Sequence, residues 1–170
     1  GPGGGEGVTL QYASVSGVPL VTRARNHLVA HLLSHPAATH LLFVDADIEF
    51  PPEAISRLLA KSVPVSAALY PRKEYAGAGR GIRYPFRLLD PGTPPGPDGF
   101  ARAERAPSGF MLLQRQPLAS LAARYESQLG MDDEGLKLVG LFTEGVWEGG
   151  RYEGEDYSFC RRVRGAGGEG

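Results

Sequence analysis

The stretch Thr39–Pro52, THLLFVDADIEFPP, decides the fold predicted for this chain. Its apolar run Leu41–Val44 has no polar face at helical spacing, which is typical of a strand buried on both sides and therefore central in a largely parallel sheet. The run ends in two carboxylates, Asp45 and Asp47, with only Ala46 between them. Because ligands of open α/β sheets bind beyond the carboxyl ends of the strands, we expect the triplet to lie in a ligand site.

Two carboxylates at such a position suit a hard divalent cation. Mn²⁺ and Mg²⁺ prefer oxygen ligands, and Mg²⁺ usually takes one or two carboxylates together with substrate phosphates. The triplet Asp45-Ala46-Asp47 therefore predicts a site for Mn²⁺ or Mg²⁺ and a nucleoside diphosphate. Acids also follow strands as turn residues or helix caps, so the triplet alone is a weak signal.

Length and composition indicate one soluble domain. The chain has 170 residues, of which 42% are hydrophobic and 22% charged, and its net charge of −1 gives no general attraction to nucleic acid. We expect the domain to span residues 8–164, between flexible glycine-rich tails at 1–7 and 165–170. The sequence has no apolar run long enough to span a membrane and no secretion signal, and its single cysteine fits a reducing compartment, so we expect a cytoplasmic location.

The remaining patterns predict strands that alternate with helices. Strands are expected at 8–15, 63–69, 82–89, 111–113 and 136–142, and helices at 19–34, 51–61, 118–125 and 156–164. The strand–helix–strand order of the first part favours a parallel crossover unit. The Pro/Gly-rich run near 91–99 is expected to be a mobile loop.

Five motifs, taken in order, resemble those of the GT-A-type glycosyltransferases, close to family 2 and its small phage and bacterial members. They are Ala24–Asn26 (ARN), Thr39–Ile48 (THLLFVDADI), Tyr70–Lys73 (YPRK), Ser108–Leu112 (SGFML) and Gly154–Arg162 (GEDYSFCRR). The resemblance covers about residues 8–164, and its specificity lies in the order and spacing of the motifs. It implies an α/β, GT-A-like (Rossmann-like) fold with a mixed, mainly parallel central sheet flanked by helices.

The resemblance also implies roles for matching residues in transferring a sugar from a nucleoside diphosphate sugar to an acceptor hydroxyl. Asp45 would contact the sugar nucleotide and Asp47 would bind the metal, with Asp45 as a second ligand. Asp156, beside Glu155, would be the catalytic base of an inverting enzyme, because an acceptor hydroxyl needs a carboxylate to take its proton. The donor-binding set is completed by Arg25, Asn26, Ala46, Arg72, Lys73 and Gly109.

Other readings of the same residues stay open. Asp156 also stands where a helix N-cap belongs, and Arg25 on a helix can be an ordinary salt-bridged residue. A nucleotidyltransferase would use the same triplet, as would a non-catalytic module that binds a nucleotide sugar or a glycan. A phosphatase of the haloacid dehalogenase type would use Asp45 as its nucleophile, with Lys73 and the pair Asp132-Asp133.

The sequence does not identify the acceptor, and it does not supply a complete set of metal ligands. A modified DNA base, a polysaccharide and a protein hydroxyl are all candidate acceptors. All four histidines precede the triplet, whereas many relatives place a metal-binding histidine after the last helix. We therefore expect water and diphosphate oxygens to complete the metal site, or the natural chain to be longer.

Overall fold

The structure is a computed structural model that describes residues 7–15, 20–71, 84–132, 135–147 and 149–167. The helices in these ranges are α1 (Val21–Ser34), α2 (Glu53–Lys61), α3 (Arg115–Arg124) and α4 (Glu155–Gly165). The strands are β1 (His40–Val44), β2 (Val65–Ala67), β3 (Arg87–Leu88), β4 (Ala103–Arg105), β5 (Phe110–Gln114), β6 (Leu129–Met131), β7 (Lys137–Val139), β8 (Gly145–Val146) and β9 (Tyr152–Glu153). No helix in the described part of the chain has the length and apolarity needed to cross a lipid bilayer.

The main sheet is antiparallel and has β5 at its centre, in the order β1-β5-β2. On one side Val44 pairs with Phe110, and on the other Val65 pairs with Leu113. The remaining pairs are hairpins, β3 with β4, β6 with β7 and β8 with β9, and each of them is also antiparallel. The prediction of a mainly parallel, GT-A-like central sheet is therefore wrong, because every strand pair among the described residues runs antiparallel.

Two stretches account for this error. Residues 8–15, predicted as a first strand, are exposed and have no regular structure, so they provide no parallel neighbour for β1. β1 itself pairs only with β5 in the described sheet, while β5 has a strand on each side and buries its first four residues. An apolar run indicates that a strand packs against other parts of the protein, but it does not indicate whether the neighbouring strands run parallel or antiparallel to it.

The helices cover the two faces of this sheet. Along β5 the pleat sends Met111 and Leu113 into a large core with α1, α3 and α4, and Phe110 and Leu112 into a smaller core against Leu58 of α2. In the large core the Phe142 ring stacks on Phe159 with centroids 4.2 Å apart and meets Phe43 edge-on at 5.5 Å. This packing fixes the start of α4 near the end of β1.

The Pro/Gly-rich loop before β4, predicted to be mobile, has specific contacts with α2. Lys61 Nζ lies 2.6 Å from Asp98 Oδ2, and Arg57 Nη2 donates to the Asp98 carbonyl oxygen at 3.0 Å. Both cations also lie over the Phe100 ring, within 5.1 and 5.9 Å of its centroid. Sequence composition alone does not predict such contacts between a loop and a helix.

Candidate functional site

Segments that are far apart in the sequence meet at the carboxyl end of β1. The Asp45 amide donates to the Gly109 carbonyl oxygen at 2.8 Å, which joins the end of β1 to the start of β5. Arg25 of α1 reaches the same carboxylate, and α4 begins beside it with two acids. We call this group the β1-end cluster; its members are Arg25, Asp45, Tyr70, Gly109, Glu155 and Asp156.

Arg25 lies at the centre of the cluster. Its residue exposure is only 6%, and its Nη2 donates to both carboxylate oxygens of Asp45 at 3.1 and 3.3 Å. Its Nε lies 3.9 Å from Glu155 Oε1, and the guanidinium carbon stands 5.0 Å from the centroid of the Phe43 ring. The buried cation therefore fixes the orientation of the Asp45 carboxylate and lies close to Glu155 at the centre of the cluster.

Asp156 has the strongest electrostatic signature in the cluster. Burial is the largest cause, and the negative charge of Glu155 the next, of a rise in the pKa of the Asp156 carboxyl from 3.8 to about 6, against the opposing effects of the Tyr157 amide and Arg25. The Asp156 Oδ1 atom accepts from the Tyr157 N–H at 2.8 Å. Because the N-cap of α4 is Gly154, capping does not account for Asp156. A carboxylate with this pKa is suited to general-base chemistry near neutral pH.

Gly109 stands where the backbone comes very close to the cluster. A Cβ at this position would lie 2.3 Å from Tyr70 Oη, 2.7 Å from Asp45 Oδ2 and 2.9 Å from Ile48 Cδ1. Only glycine therefore fits between the tyrosine and the carboxylate.

Tyr70 is a member of the cluster that the sequence analysis missed. Its hydroxyl accepts the Gly109 N–H at 3.1 Å, and burial with the nearby charges of Asp45 and Asp156 raises its pKa. The phenol is therefore protonated at neutral pH and can donate a hydrogen bond. Its position in the YPRK motif, two residues before Arg72, is the signal that the sequence offers.

The residues of the Asp45-Ala46-Asp47 triplet are accessible from solvent. Ala46 and Asp47 are exposed in the turn after β1, and the Asp45 side chain is 41% exposed. Within the described ranges, no three His, Cys, Asp or Glu side chains are grouped closely enough to hold a metal ion by themselves. Water and phosphate oxygens would therefore have to supply the remaining ligands of a cation held by Asp45 and Asp47, which is a common arrangement for Mg²⁺.

Asn26 has a different role from the donor contact expected of it. Its Nδ2 donates to the Phe142 carbonyl oxygen at 2.8 Å, and its Oδ1 accepts the N–H groups of Leu141 and Phe142 at 3.1 and 3.0 Å. Asn26 therefore anchors α1 to the segment before β8, and we do not include it in the proposed site. Arg72 and Lys73 lie outside the described residues.

The same segment also fixes α4, and with it the two acids of the cluster. Arg162 Nη1 donates to the Leu141 carbonyl oxygen at 2.7 Å, and Nη2 donates to Thr143 Oγ1 at 2.8 Å. One turn earlier, Ser158 Oγ donates to the Thr143 carbonyl oxygen at 2.5 Å. These buried contacts give Glu155 and Asp156 a defined position relative to Arg25.

Comparison with known proteins gives a fold relationship alone. The chain matches no family profile and no curated protein. It is similar to the crystal structure of A197 from STIV, with a TM-score of 0.53 and 17% sequence identity. The match covers 89% of this chain and 64% of A197, so the chain spans somewhat less than two thirds of that protein.

Proposed function

We propose that this protein is a glycosyltransferase that moves a sugar from a nucleoside diphosphate sugar to an acceptor hydroxyl, with Mn²⁺ or Mg²⁺ as cofactor. The observation that carries the proposal is the convergence of Arg25, Asp45, Gly109 and Asp156 in the β1-end cluster. These residues come from four of the five motifs that resemble glycosyltransferases. The proposal depends on this cluster and not on the direction of the strands.

The cluster, together with the neighbouring Asp47, contains groups suited to the steps of this reaction. Asp45 and Asp47 would hold the cation, which when bound neutralises negative charge on the leaving diphosphate. Arg25 would donate charge-assisted hydrogen bonds to a phosphate oxygen, for which a guanidinium is well suited. Gly109, without a side chain, lets the Tyr70 hydroxyl and the Asp45 carboxylate lie close to the backbone at the end of β1.

Asp156 is the proposed base. Its carboxylate takes the proton of the acceptor hydroxyl while the acceptor oxygen bonds to the anomeric carbon of the sugar. The bond from that carbon to the diphosphate breaks on the opposite face, so the configuration inverts. A pKa of about 6 keeps most of the carboxylate ionised at pH 7 and makes it more basic than an ordinary aspartate.

The alternative phosphatase mechanism lacks support from the positions of its other residues. Asp132 Oδ2 lies 3.6 Å from His27 Nδ1, and its Oδ1 accepts the Leu136 N–H at 2.7 Å, so it has a local structural role. Lys73 and Asp133 lie outside the described residues. Both oxygens of Asp45, the nucleophile in that mechanism, are within hydrogen-bonding distance of Arg25.

The test is incubation of the protein with Mn²⁺ and a panel of nucleoside diphosphate sugars, with thermal unfolding and product release as readouts. We expect stabilisation that requires both metal and one donor, and slow release of free sugar and nucleoside diphosphate from that donor. Asp156→Asn should retain the stabilisation and lose the release. The matched control is Glu53→Gln, which removes an exposed acid from the first turn of α2.

Other outcomes distinguish the alternatives. Release of inorganic pyrophosphate from a nucleoside triphosphate would support a nucleotidyltransferase instead. Donor binding with no turnover, even with simple hydroxyl acceptors, would support a binding module. Absence of any metal-dependent or donor-dependent stabilisation contradicts the proposal.

A further inference from the structure

The ion pair between Arg25 and Asp45 places a buried cation against a carboxylate that solvent can reach. The Arg25 side chain is 7% exposed, whereas the Asp45 side chain is 41% exposed. A buried guanidinium without an anionic partner is strongly unfavourable, so any ligand that competes for Asp45 also affects Arg25.

Arg25 has unused hydrogen-bonding capacity within the cluster. Its Nε is buried and has no hydrogen-bond partner among the described residues. The nearest acid on that side, Glu155, has its Oε1 at 3.9 Å, which is beyond hydrogen-bonding distance. A buried N–H without a partner costs free energy, and an added oxygen atom at this position would remove that cost.

A divalent cation on Asp45 would compete directly with this ion pair. Arg25 Nη2 faces both oxygens of the Asp45 carboxylate, and a cation bound there repels the guanidinium and takes a share of the same lone pairs. Arg25 then needs a replacement anion. The ligand that accompanies the cation, a diphosphate, carries the required oxygens.

We infer that Arg25 exchanges partners, pairing with Asp45 in the ligand-free protein and with a diphosphate oxygen once a cation occupies Asp45. The inference rests on the proposed function, and it adds that one side chain restrains cation binding until the anion is present. Each of the two ligands, cation and diphosphate, therefore raises the affinity of the protein for the other by more than the direct contact between the two ligands provides. Such coupling is reciprocal, and typical couplings change affinities by about 5- to 150-fold.

The distinctive consequence is that one substitution changes two affinities in opposite directions. Arg25→Met frees the Asp45 carboxylate, so the affinity for Mn²⁺ alone should rise by about fivefold or more, at the lower end of typical couplings. The same variant has lost the anion-binding guanidinium, so the affinity for inorganic pyrophosphate at saturating Mn²⁺ should fall by at least tenfold. A purely structural role of Arg25 would lower both affinities.

The measurements are Mn²⁺ binding by electron paramagnetic resonance and pyrophosphate binding by calorimetry, on the full chain. The matched control is Arg23→Met, which removes the same charge from an exposed position on the same helix and should change neither affinity by more than about twofold. Arg25→Lys, which keeps the buried charge, serves if Arg25→Met does not fold, and it should change both affinities in the same directions to a smaller extent.

The outcomes separate this inference from the proposed function. If the wild type binds Mn²⁺ and pyrophosphate but the Arg25 variants leave Mn²⁺ affinity unchanged or lower it, the partner exchange is wrong and the proposed function stands. If the wild type binds neither Mn²⁺ nor pyrophosphate, both are wrong.

Discussion

The Arg25 guanidinium and the Asp45 carboxylate approach to 3.1 Å, although 20 residues separate them in the sequence. This contact joins the inner face of α1 to the carboxyl end of β1. It also links the triplet to the start of α4, because Glu155 approaches the same guanidinium from the other side. The residues proposed to bind the donor and those proposed to act on the acceptor therefore share one charged group.

The activity should depend on pH through Asp156. The proposed base works only when deprotonated, and its pKa is raised to about 6 by burial and by Glu155. We expect kcat/KM to rise with pH through about 6, where half of the carboxylate is ionised, and to level off above it. The check is a rate profile from pH 4.5 to 8 with Mn²⁺ and the donor that stabilises the protein. A rate that is independent of pH between 5 and 7 would exclude Asp156 as the base.

Replacing Asp156 should stabilise the protein at neutral pH. The pKa is higher in the folded state than the ordinary value of 3.8, so the stability linked to this group is present below about pH 3.8 and is lost as pH rises through about 6. At pH 7.5 Asp156→Asn should raise the free energy of unfolding by about 1–2 kcal/mol, allowing for solvent screening. At pH 3.5 the difference should vanish, which urea unfolding at both pH values can measure. A variant less stable than the wild type at pH 7.5 contradicts this account of the pKa.

A side chain at position 109 should disturb the cluster. In Gly109→Ala the new Cβ would overlap Tyr70 Oη and Asp45 Oδ2, so the backbone must shift and donor binding should be lost. We expect a loss of about 1–3 kcal/mol of stability, as for other overpacked sites. The control is Gly145→Ala, since its Cβ would meet no atom within 4 Å. Equal effects of the two substitutions on donor binding would show that the close approach at Gly109 has no functional role.

Asn26 should contribute to stability and not directly to catalysis. Asn26→Ala removes three hydrogen bonds to the backbone of Leu141 and Phe142 and leaves those buried groups unpaired. We expect a loss of about 2–4 kcal/mol in the free energy of unfolding by urea. Arg23→Ala, at an exposed position on the same helix, is the control and should change stability little. A loss of donor affinity in Asn26→Ala without any loss of stability would contradict this role and show that Asn26 contributes to donor binding.

The helices and the apolar strands could be predicted from the sequence, because their periodicity follows directly from burial. The helix α1 and the strand before Asp45 illustrate this, since both form where the spacing predicts them, although Val44 is exposed and β1 lies at the edge of the sheet and not at its centre. The neighbours of β1 could not be predicted in this way. Pairing with β5 depends on residues about 70 positions away, and the run Phe110–Leu113 is as apolar as the run Leu41–Val44.

The residues of the candidate site could also be predicted only in part from the sequence. Charged residues in ordered motifs identified Arg25, Asp45 and Asp156, which the structure brings together. Tyr70 could not be predicted as a member of the site, because in the YPRK motif the charges of Arg72 and Lys73 are the feature that indicates ligand binding. Asn26 was assigned to the donor because its motif includes it, whereas its hydrogen bonds to residues 141 and 142 depend on tertiary contacts.

The most direct test of the central claim is calorimetric titration of the wild type and Asp47→Asn with nucleoside diphosphate sugars, in Mn²⁺ and in excess chelator. We expect the wild type to bind at least one such donor at least tenfold more tightly in Mn²⁺, and Asp47→Asn to lose that increment. If no donor binds, or if the chelator leaves the affinity of the wild type unchanged, the triplet does not form a metal-dependent sugar-nucleotide site.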